Sequence, residues 1–374
     1  MSKLNRIPCT PQGYIATCAI GDGSLTFAVK DSLDVAGYPT RAGSLALENA
    51  PPAACHARVI AQLLAAGCRL TGKTTLHELA FGVTGINPGA GTPVNSLYPH
   101  LIPGGSSSGS ATVVASGCVD FAIGTDTGGS VRMPAACCGV MGLKPGFGRV
   151  SRAGVLPAAS SLDCVGFFTR DLATLGEVLA RLGLDDAAPQ NPALTPAFLS
   201  GLALPEIDSL LLKRLGDDVE TAVLPGLEAA HEAGLYLIGY ENWQAFSGLC
   251  DHPALLPDVR QRIARGAEIT PQMLARAEAV RADFSREVDT LLERHGLLLL
   301  PALPALPPTL EEARDPLTAV TLTRLLRPFN LSGHPALTIP AGEIDGRPVA
   351  LQIVAAKGQE AALVRAAGRW FHHR

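Results

Sequence analysis

Two glycine–serine runs and one lysine supply the residue types that can do chemistry. The first run is Gly104-Gly105-Ser106-Ser107-Ser108-Gly109-Ser110, the second Gly124-Thr125-Asp126-Thr127-Gly128-Gly129-Ser130. Consecutive glycines let successive backbone N–H groups turn into one concavity. A serine that ends such a bend presents its hydroxyl beside those donors. The second run therefore offers a nucleophile, Ser130, together with a hollow that stabilises an oxyanion. A hydroxyl needs a base, and no histidine sits in an obviously suitable loop. Lys30 follows Phe27-Ala28-Val29. Burial of that apolar stretch disfavours the ammonium form and brings the amine towards working pH. The predicted chemistry is attack by a serine with a lysine as base.

Two further motifs match known patterns. Gly67-Cys68-Arg69-Leu70-Thr71-Gly72-Lys73-Thr74 fits G-x-x-x-x-G-K-[ST]. A phosphate loop needs a strand, a loop and a helix in that order. Here a helical segment precedes Gly67, and Cys68-Arg69-Leu70 reads as a strand inside the supposed loop, so a helix end, a strand and a turn account for the match. Gly105 to Gly109 fits G-x-S-x-G, the nucleophile elbow, which requires an acid and then a histidine downstream. His231, His252, His295, His334, His372 and His373 are available. Of these only His334, in Ser332-Gly333-His334-Pro335, has catalytic-looking surroundings. His56 and His77 fall on helix-like segments and read as structural.

The elements that must position these groups alternate between strand and helix. Residues 82–148 hold 15 glycines and only four charges, Asp120, Asp126, Arg132 and Lys144. Apolar runs at Ala111–Ala115 and Val119–Ile123 make this segment tight loops between buried elements rather than a flexible linker. Thr26–Lys30 reads as a buried strand, residues 56–66 as a helix stopping at Gly67, and Thr125–Gly129 as a turn. Pro8 to Ile20 does not look helical. Residues 170–182 look helical, and 186–206 is the best linker candidate. A helix from Asp217 to Ala233 closes at Gly234, followed by a strand at Leu235–Ile238. A longer helix starts at Thr270-Pro271, a cap with proline in the first turn, and ends at His295-Gly296. Strands follow at Leu297–Leu300 and Val349–Val354, and a last helix at Gln359–Phe371. Strands alternating with helices suggest an α/β sheet.

Composition narrows the function. The chain has 374 residues, with 30 Lys and Arg against 34 Asp and Glu, a net charge of −4. That excludes an electrostatic nucleic-acid footprint, and 5% aromatic residues argue against a base-stacking platform. The strongest apolar run, Leu297–Leu300, ends at Pro301, far short of the roughly 20 residues of a membrane span. No apolar stretch follows the first residues, so no secretory signal is expected. The nine cysteines show no Cys-x-x-Cys spacing and read as free thiols of a cytoplasmic protein.

The two runs, continued as Gly104 to Ala111 and Gly124 to Ala135, resemble the signature of the amidase signature family. Val29-Lys30-Asp31 through Gly37 resembles that family's lysine segment. Gly72 to Gly82 and Gly142-Leu143-Lys144-Pro145 also match it, and Asn330 to Gly342 resembles its closing motif. The resemblance is strong over 24–170 and thinner over 320–356. It implies an α/β fold with a mixed, largely buried central β-sheet covered by helices on both faces. It implies a Ser–cis-Ser–Lys triad. The nucleophile falls on Ser130, the bridging serine on Ser106, 24 positions earlier, and the base on Lys30. The peptide Gly105–Ser106 is expected cis. The oxyanion donors fall on the backbone N–H groups of Thr127, Gly128, Gly129 and Ser130. Asp126 and Arg132 brace the loop, and Ser107 supports the network. The implied reaction cleaves a carboxamide through an acyl-serine, with protons relayed between Ser130, Ser106 and Lys30 and no metal or organic cofactor.

The resemblance also carries expectations about organisation. One amidase domain spans 1–374: a shortened lead over 1–23, a catalytic core over 24–185, a variable substrate-shaping region over 186–325 and a core return over 326–374. Only 29 residues precede Lys30, fewer than is usual in the family, so the cover over the sheet is expected to be reduced. Apolar surface left bare there suits a homodimer. The partner implied is a small-molecule amide, with no nucleic acid and no membrane. A glutaminase-type subunit of a tRNA-dependent amidotransferase is the alternative, disfavoured by the short chain and the net charge.

Overall fold

The computed structural model describes residues 10, 12–185, 194–315 and 321–371. Its centre is an 11-stranded mixed sheet in the order β1-β3-β2-β4-β6-β5-β10-β11-β9-β7-β8. The first half holds β1 (Tyr14–Ile20), β2 (Leu25–Lys30), β3 (Cys68–Thr74), β4 (Phe121–Asp126), β5 (Met141–Lys144) and β6 (Cys164–Thr169). The second holds β7 (Ala197–Leu199), β8 (Glu220–Ala222), β9 (Leu297–Pro301), β10 (Ala336–Ile344) and β11 (Arg347–Ala355). Strand β2 runs parallel to both β3 and β4. A strand enclosed by parallel neighbours and covered on both faces is apolar throughout, and Phe27, Ala28 and Val29 are fully buried. Phe27 stacks on Phe121 across the β2–β4 pair, with ring centroids 5.2 Å apart.

Helix positions follow local signals where caps are present. Helix α1 (Arg58–Ala65) leads through Gly67 into β3. Helix α2 (Ser108–Ala115) is apolar or small all round and buried on every side, beside β2, β3 and β4. Gly109 makes that approach feasible: a Cβ there would lie 2.7 Å from Thr75 N and from Gly13 O. Helix α3 (Arg132–Cys138) follows the second glycine–serine run. Asp171 caps α4 (Leu172–Arg181) by accepting from Thr174 N–H. Helices α5 (Pro205–Leu215), α6 (Leu227–Phe246), α7 (Pro257–Arg265) and α8 (Pro271–His295) fill the second half. Thr270 caps α8, Pro271 occupies its first turn and Gly296 closes it, as expected. A short helix Pro328–Leu331 and a last helix Glu360–Ala367 complete the order.

Four expectations need correction. Gly234 does not end a helix. It lies inside α6, which runs unbroken through Leu235–Ile238, where a strand was expected. The glycine is there for close approach: a Cβ would sit 2.8 Å from Arg327 Cγ and Cδ. The expected linker 186–206 is ordered chain from residue 194, with buried β7 pairing in parallel with β8 and β9; 186–193 lie outside the described residues. Strand β7 has only three residues, too few to show a period. Strand β4 extends to Asp126, so the bend begins two residues later than expected. His56 and His77 lie just outside helices. His56 Nδ1 accepts from Ala36 N–H at 3.2 Å, and His77 precedes a single helical turn.

Candidate active site

Lys30 ends β2 and is fully buried. Its Nζ lies 2.8 Å from Ser106 Oγ and 2.8 Å from Thr125 Oγ1. Burial pulls its pKa down from 10.5 to about 7, against the opposing charges of Asp163 and Asp126. A neutral amine has one lone pair. Donating an N–H to Thr125 leaves that lone pair free to take the Ser106 proton.

Ser106 stands in the run that leads into α2, after the cis peptide Gly105–Ser106. Its carbonyl accepts from His77 N–H at 3.0 Å. Ser107 joins the two serine runs: its N–H donates to the Ser130 carbonyl at 3.2 Å and its hydroxyl to the Thr125 carbonyl at 3.1 Å. Ser130 ends the bend after β4. The residue is half-buried, and its hydroxyl makes no hydrogen bond among the described residues.

Asp126 organises the bend between β4 and α3. Its carboxylate accepts from the N–H groups of Gly129 at 2.7 Å, Val131 at 3.2 Å and Arg132 at 3.3 Å. The Arg132 guanidinium grips the same carboxylate through Nε at 2.9 Å and Nη2 at 2.8 Å. It also donates to Leu326 O, Gln352 Oε1 and Asn330 Oδ1, so all five of its N–H groups are used. Burial raises the Asp126 pKa, but the charge and hydrogen bonds of Arg132, with help from Lys144 and Asn330, outweigh it and hold the group well below the usual carboxylate range. This use of the Gly129 N–H departs from the expected oxyanion set. Among the described residues the N–H groups of Thr127, Gly128 and Ser130 carry no hydrogen bond and are free to donate. Thr127 is tethered through its hydroxyl to Asp163 Oδ1 at 2.9 Å, and Arg152 Nε holds the other carboxylate oxygen at 2.9 Å.

Gly129 has φ +113°, and a Cβ there would lie 2.8 Å from Leu326 Cβ and Cδ1. Gly129→Ala is expected to lower stability by about 2–4 kcal/mol in urea unfolding, combining backbone strain with overpacking. Gly148 also has positive φ, at +79°, but nothing lies within 4 Å of its Cβ position. Gly148→Ala should therefore cost only about 1 kcal/mol. Equal losses at both positions would contradict the packing argument.

The bend opens on a cleft lined by Thr127, Pro157, Ser160, Asp163, Ile238 and Asn242, among others. Thr125, Asp163, Asn330, Gln352 and Arg327 belong to this neighbourhood and were not singled out from the sequence. Thr125 and Asn330 lie inside quoted motifs. Asp163, Gln352 and Arg327 carry no local signal.

The competing motifs are placed elsewhere. Gly67–Thr74 is mostly strand β3, and Lys73 is occupied by Asp31 Oδ1 at 2.7 Å and Pro39 O at 2.8 Å. His334 sits between Ser332 Oγ at 2.9 Å and Asp289 Oδ1 at 2.8 Å, not beside Ser107. No helix among the described residues is long and apolar enough to cross a membrane.

Comparison with known proteins finds relatives across most of the chain. The family model described as Amidase matches residues 24–200 and 218–364. Amidase 1 of Oryza sativa subsp. japonica is 35% identical over 380 residues, covering 90% of this chain and 87% of that protein. A glutamyl-tRNA(Gln) amidotransferase subunit of Methanosarcina barkeri is 33% identical over 395 residues, covering 91% and 82% respectively. A solved amidase crystal structure superposes with a TM-score of 0.83 at 34% identity, over 93% of this chain and 84% of that one.

Proposed function

The chain belongs to the amidase family, a group of hydrolases of linear C–N amide bonds, and from that premise we propose that it cleaves a small carboxamide through an acyl–Ser130 intermediate. In this reading neutral Lys30 takes the Ser106 proton while Ser106 takes that of Ser130. Ser130 Oγ attacks the amide carbonyl carbon, and the oxyanion rests on the N–H groups of Thr127, Gly128 and Ser130. Collapse expels the amine, which receives its proton back along the relay. Water then attacks the ester, with the relay acting as base again, and releases the carboxylate. The observation that carries the proposal is the buried lysine within 2.8 Å of Ser106, in a loop bonded through Ser107 to Ser130.

A fluorophosphonate probe followed by mass spectrometry tests it. The adduct is expected on Ser130, absent from Ser130→Ala and slow to form in Lys30→Ala. An adduct on any other residue would falsify the site assignment. Ammonia release from an amide panel then reads the substrate.

The relatives named as amidotransferase subunits favour a second reading, a glutaminase-type subunit. Co-purification of a second polypeptide, with glutamine hydrolysis only in its presence, would support that reading over the first.

A further inference from the structure

Arg327 lies just before the short helix Pro328–Leu331 and is only 7% exposed. Nη2 donates to Thr323 Oγ1 at 2.7 Å, and Nη1 lies 2.8 Å from His231 Nδ1. Nε has no partner. Among the described residues no carboxylate lies within ion-pair distance of the guanidinium, whereas the neighbouring Arg324 pairs with Glu228. His231 offers no compensating charge: burial, then the charges of Arg327 and Arg324, lower its pKa to about 3, so it is neutral at working pH. Arg327 itself stays protonated, with burial lowering its pKa only to about 10. A buried cation with only a neutral histidine and a threonine as neighbours and an unpartnered Nε is costly to keep. An anion is the missing complement.

Position identifies that anion's source. A Cβ on Gly128 would lie 3.1 Å from Arg327 Nε and 3.2 Å from Ile238 Cδ1. The guanidinium therefore packs against the bare face of the peptide that offers an oxyanion donor. Leu326, its chain neighbour, covers Gly129, and the Leu326 carbonyl is held by Arg132. One stripe of α6 links guanidinium and cleft: Ile238, Glu241 and Asn242 line the cleft, while Gly234 and His231, one and two turns back, cradle Arg327. The cleft's own carboxylates are occupied, Glu241 by Ser160 Oγ and Ser161 N–H, Asp163 by Arg152 and Thr127. They steer a negative group away from their wall and towards Arg327.

We propose that Arg327 recognises a carboxylate on the substrate, so that the preferred amides carry an anionic group a few bonds from the scissile carbonyl. This rests on the amidase reading above and names its substrate class. A planar guanidinium with free N–H groups suits two-point binding of a carboxylate.

The test uses matched pairs, succinamate against butyramide and glutaramate against valeramide, with ammonia release measured for wild type, Arg327→Leu and Arg327→Lys. Wild type should favour the anionic member of each pair by about a hundredfold in kcat/KM. Arg327→Leu should erase that preference mainly through KM, and Arg327→Lys should restore part of it. Succinate and glutarate should slow fluorophosphonate labelling of Ser130 in wild type, a measurement that needs no variant to fold. Equal or better turnover of the neutral amides by wild type, absence of that protection, or an anionic preference that survives in Arg327→Leu overturns the role of Arg327. Failure of the probe to label Ser130, with no amide cleaved, overturns the amidase reading instead.

Discussion

Lys30→Met is expected to lower kcat/KM by about 10²–10⁴-fold, the range contributed by a positioned general base. Methionine keeps the length of the side chain and its apolar stem but cannot accept a proton. The wild-type profile should show the same amine titrating. With the Lys30 pKa lowered to about 7, activity should fall as the pH drops below that value and level off above it. A rate that is flat from pH 5 to 9 would remove Lys30 as the base.

Loss of the amine also has a stability signature, which separates a chemical role from a folding defect. An unfolded lysine holds its proton up to about pH 10.4, whereas folded Lys30 releases it near 7. Between those values the unfolded chain binds one more proton, so stability rises with pH. Below the folded value both states are protonated and the full cost of burying the charge is present. Lys30→Met removes this dependence. It also strips Ser106 Oγ and Thr125 Oγ1 of a partner, at about 1–3 kcal/mol for each group left unsatisfied. These terms oppose the few kcal/mol recovered from the absent charge, so the variant should be close to wild type in stability at neutral pH. The decisive readout is the slope: from pH 7 to 10 the unfolding free energy in urea should climb less steeply in the variant than in wild type, buried Lys144 keeping its own contribution in both.

How much was legible from the sequence depends on whether neighbours in space are neighbours in the chain. The serine runs and Lys30 were readable because their residue types are unusual and contiguous, and the mixed sheet followed from the motifs around them. Asp163, Gln352 and Arg327 were not, since each is one polar residue in a stretch of ordinary composition; only folding brings Gln352 of β11 to Arg132 and Arg327 to Gly128. The Gly129 N–H shows the same limit. Its place beside Ser130 suggested an oxyanion donor, but Asp126, three residues earlier, takes that hydrogen bond. Gly234 shows that a glycine ending a helix and one admitting an arginine stem look alike until the packing is known.

Arg132→Met should destabilise the fold by about 3–5 kcal/mol, the cost of leaving a buried carboxylate without its cation. Both Asp126 and Arg132 are fully buried, so solvent cannot replace the lost partner. The guanidinium also ties the bend to three distant points, Leu326 O, Asn330 Oδ1 and Gln352 Oε1. Asp126→Asn leaves the opposite charge stranded and weakens the cap on Gly129. The double variant Asp126→Asn/Arg132→Met buries no uncompensated charge, so its loss should be smaller than the sum of the single losses by about 0.5–3 kcal/mol. The pH dependence supplies an independent sign. In wild type the lowered Asp126 pKa contributes stability that is present above the unfolded value near 3.8 and lost as the pH falls through the folded value. In Arg132→Met burial dominates and raises that pKa, so the carboxyl takes up a proton in mild acid and its penalty fades. The gap in unfolding free energy between wild type and Arg132→Met should therefore narrow as the pH is lowered from 7 to 4. A constant gap, with losses that add in the double variant, would mean that the two side chains are not coupled and that the bend is held by its backbone alone.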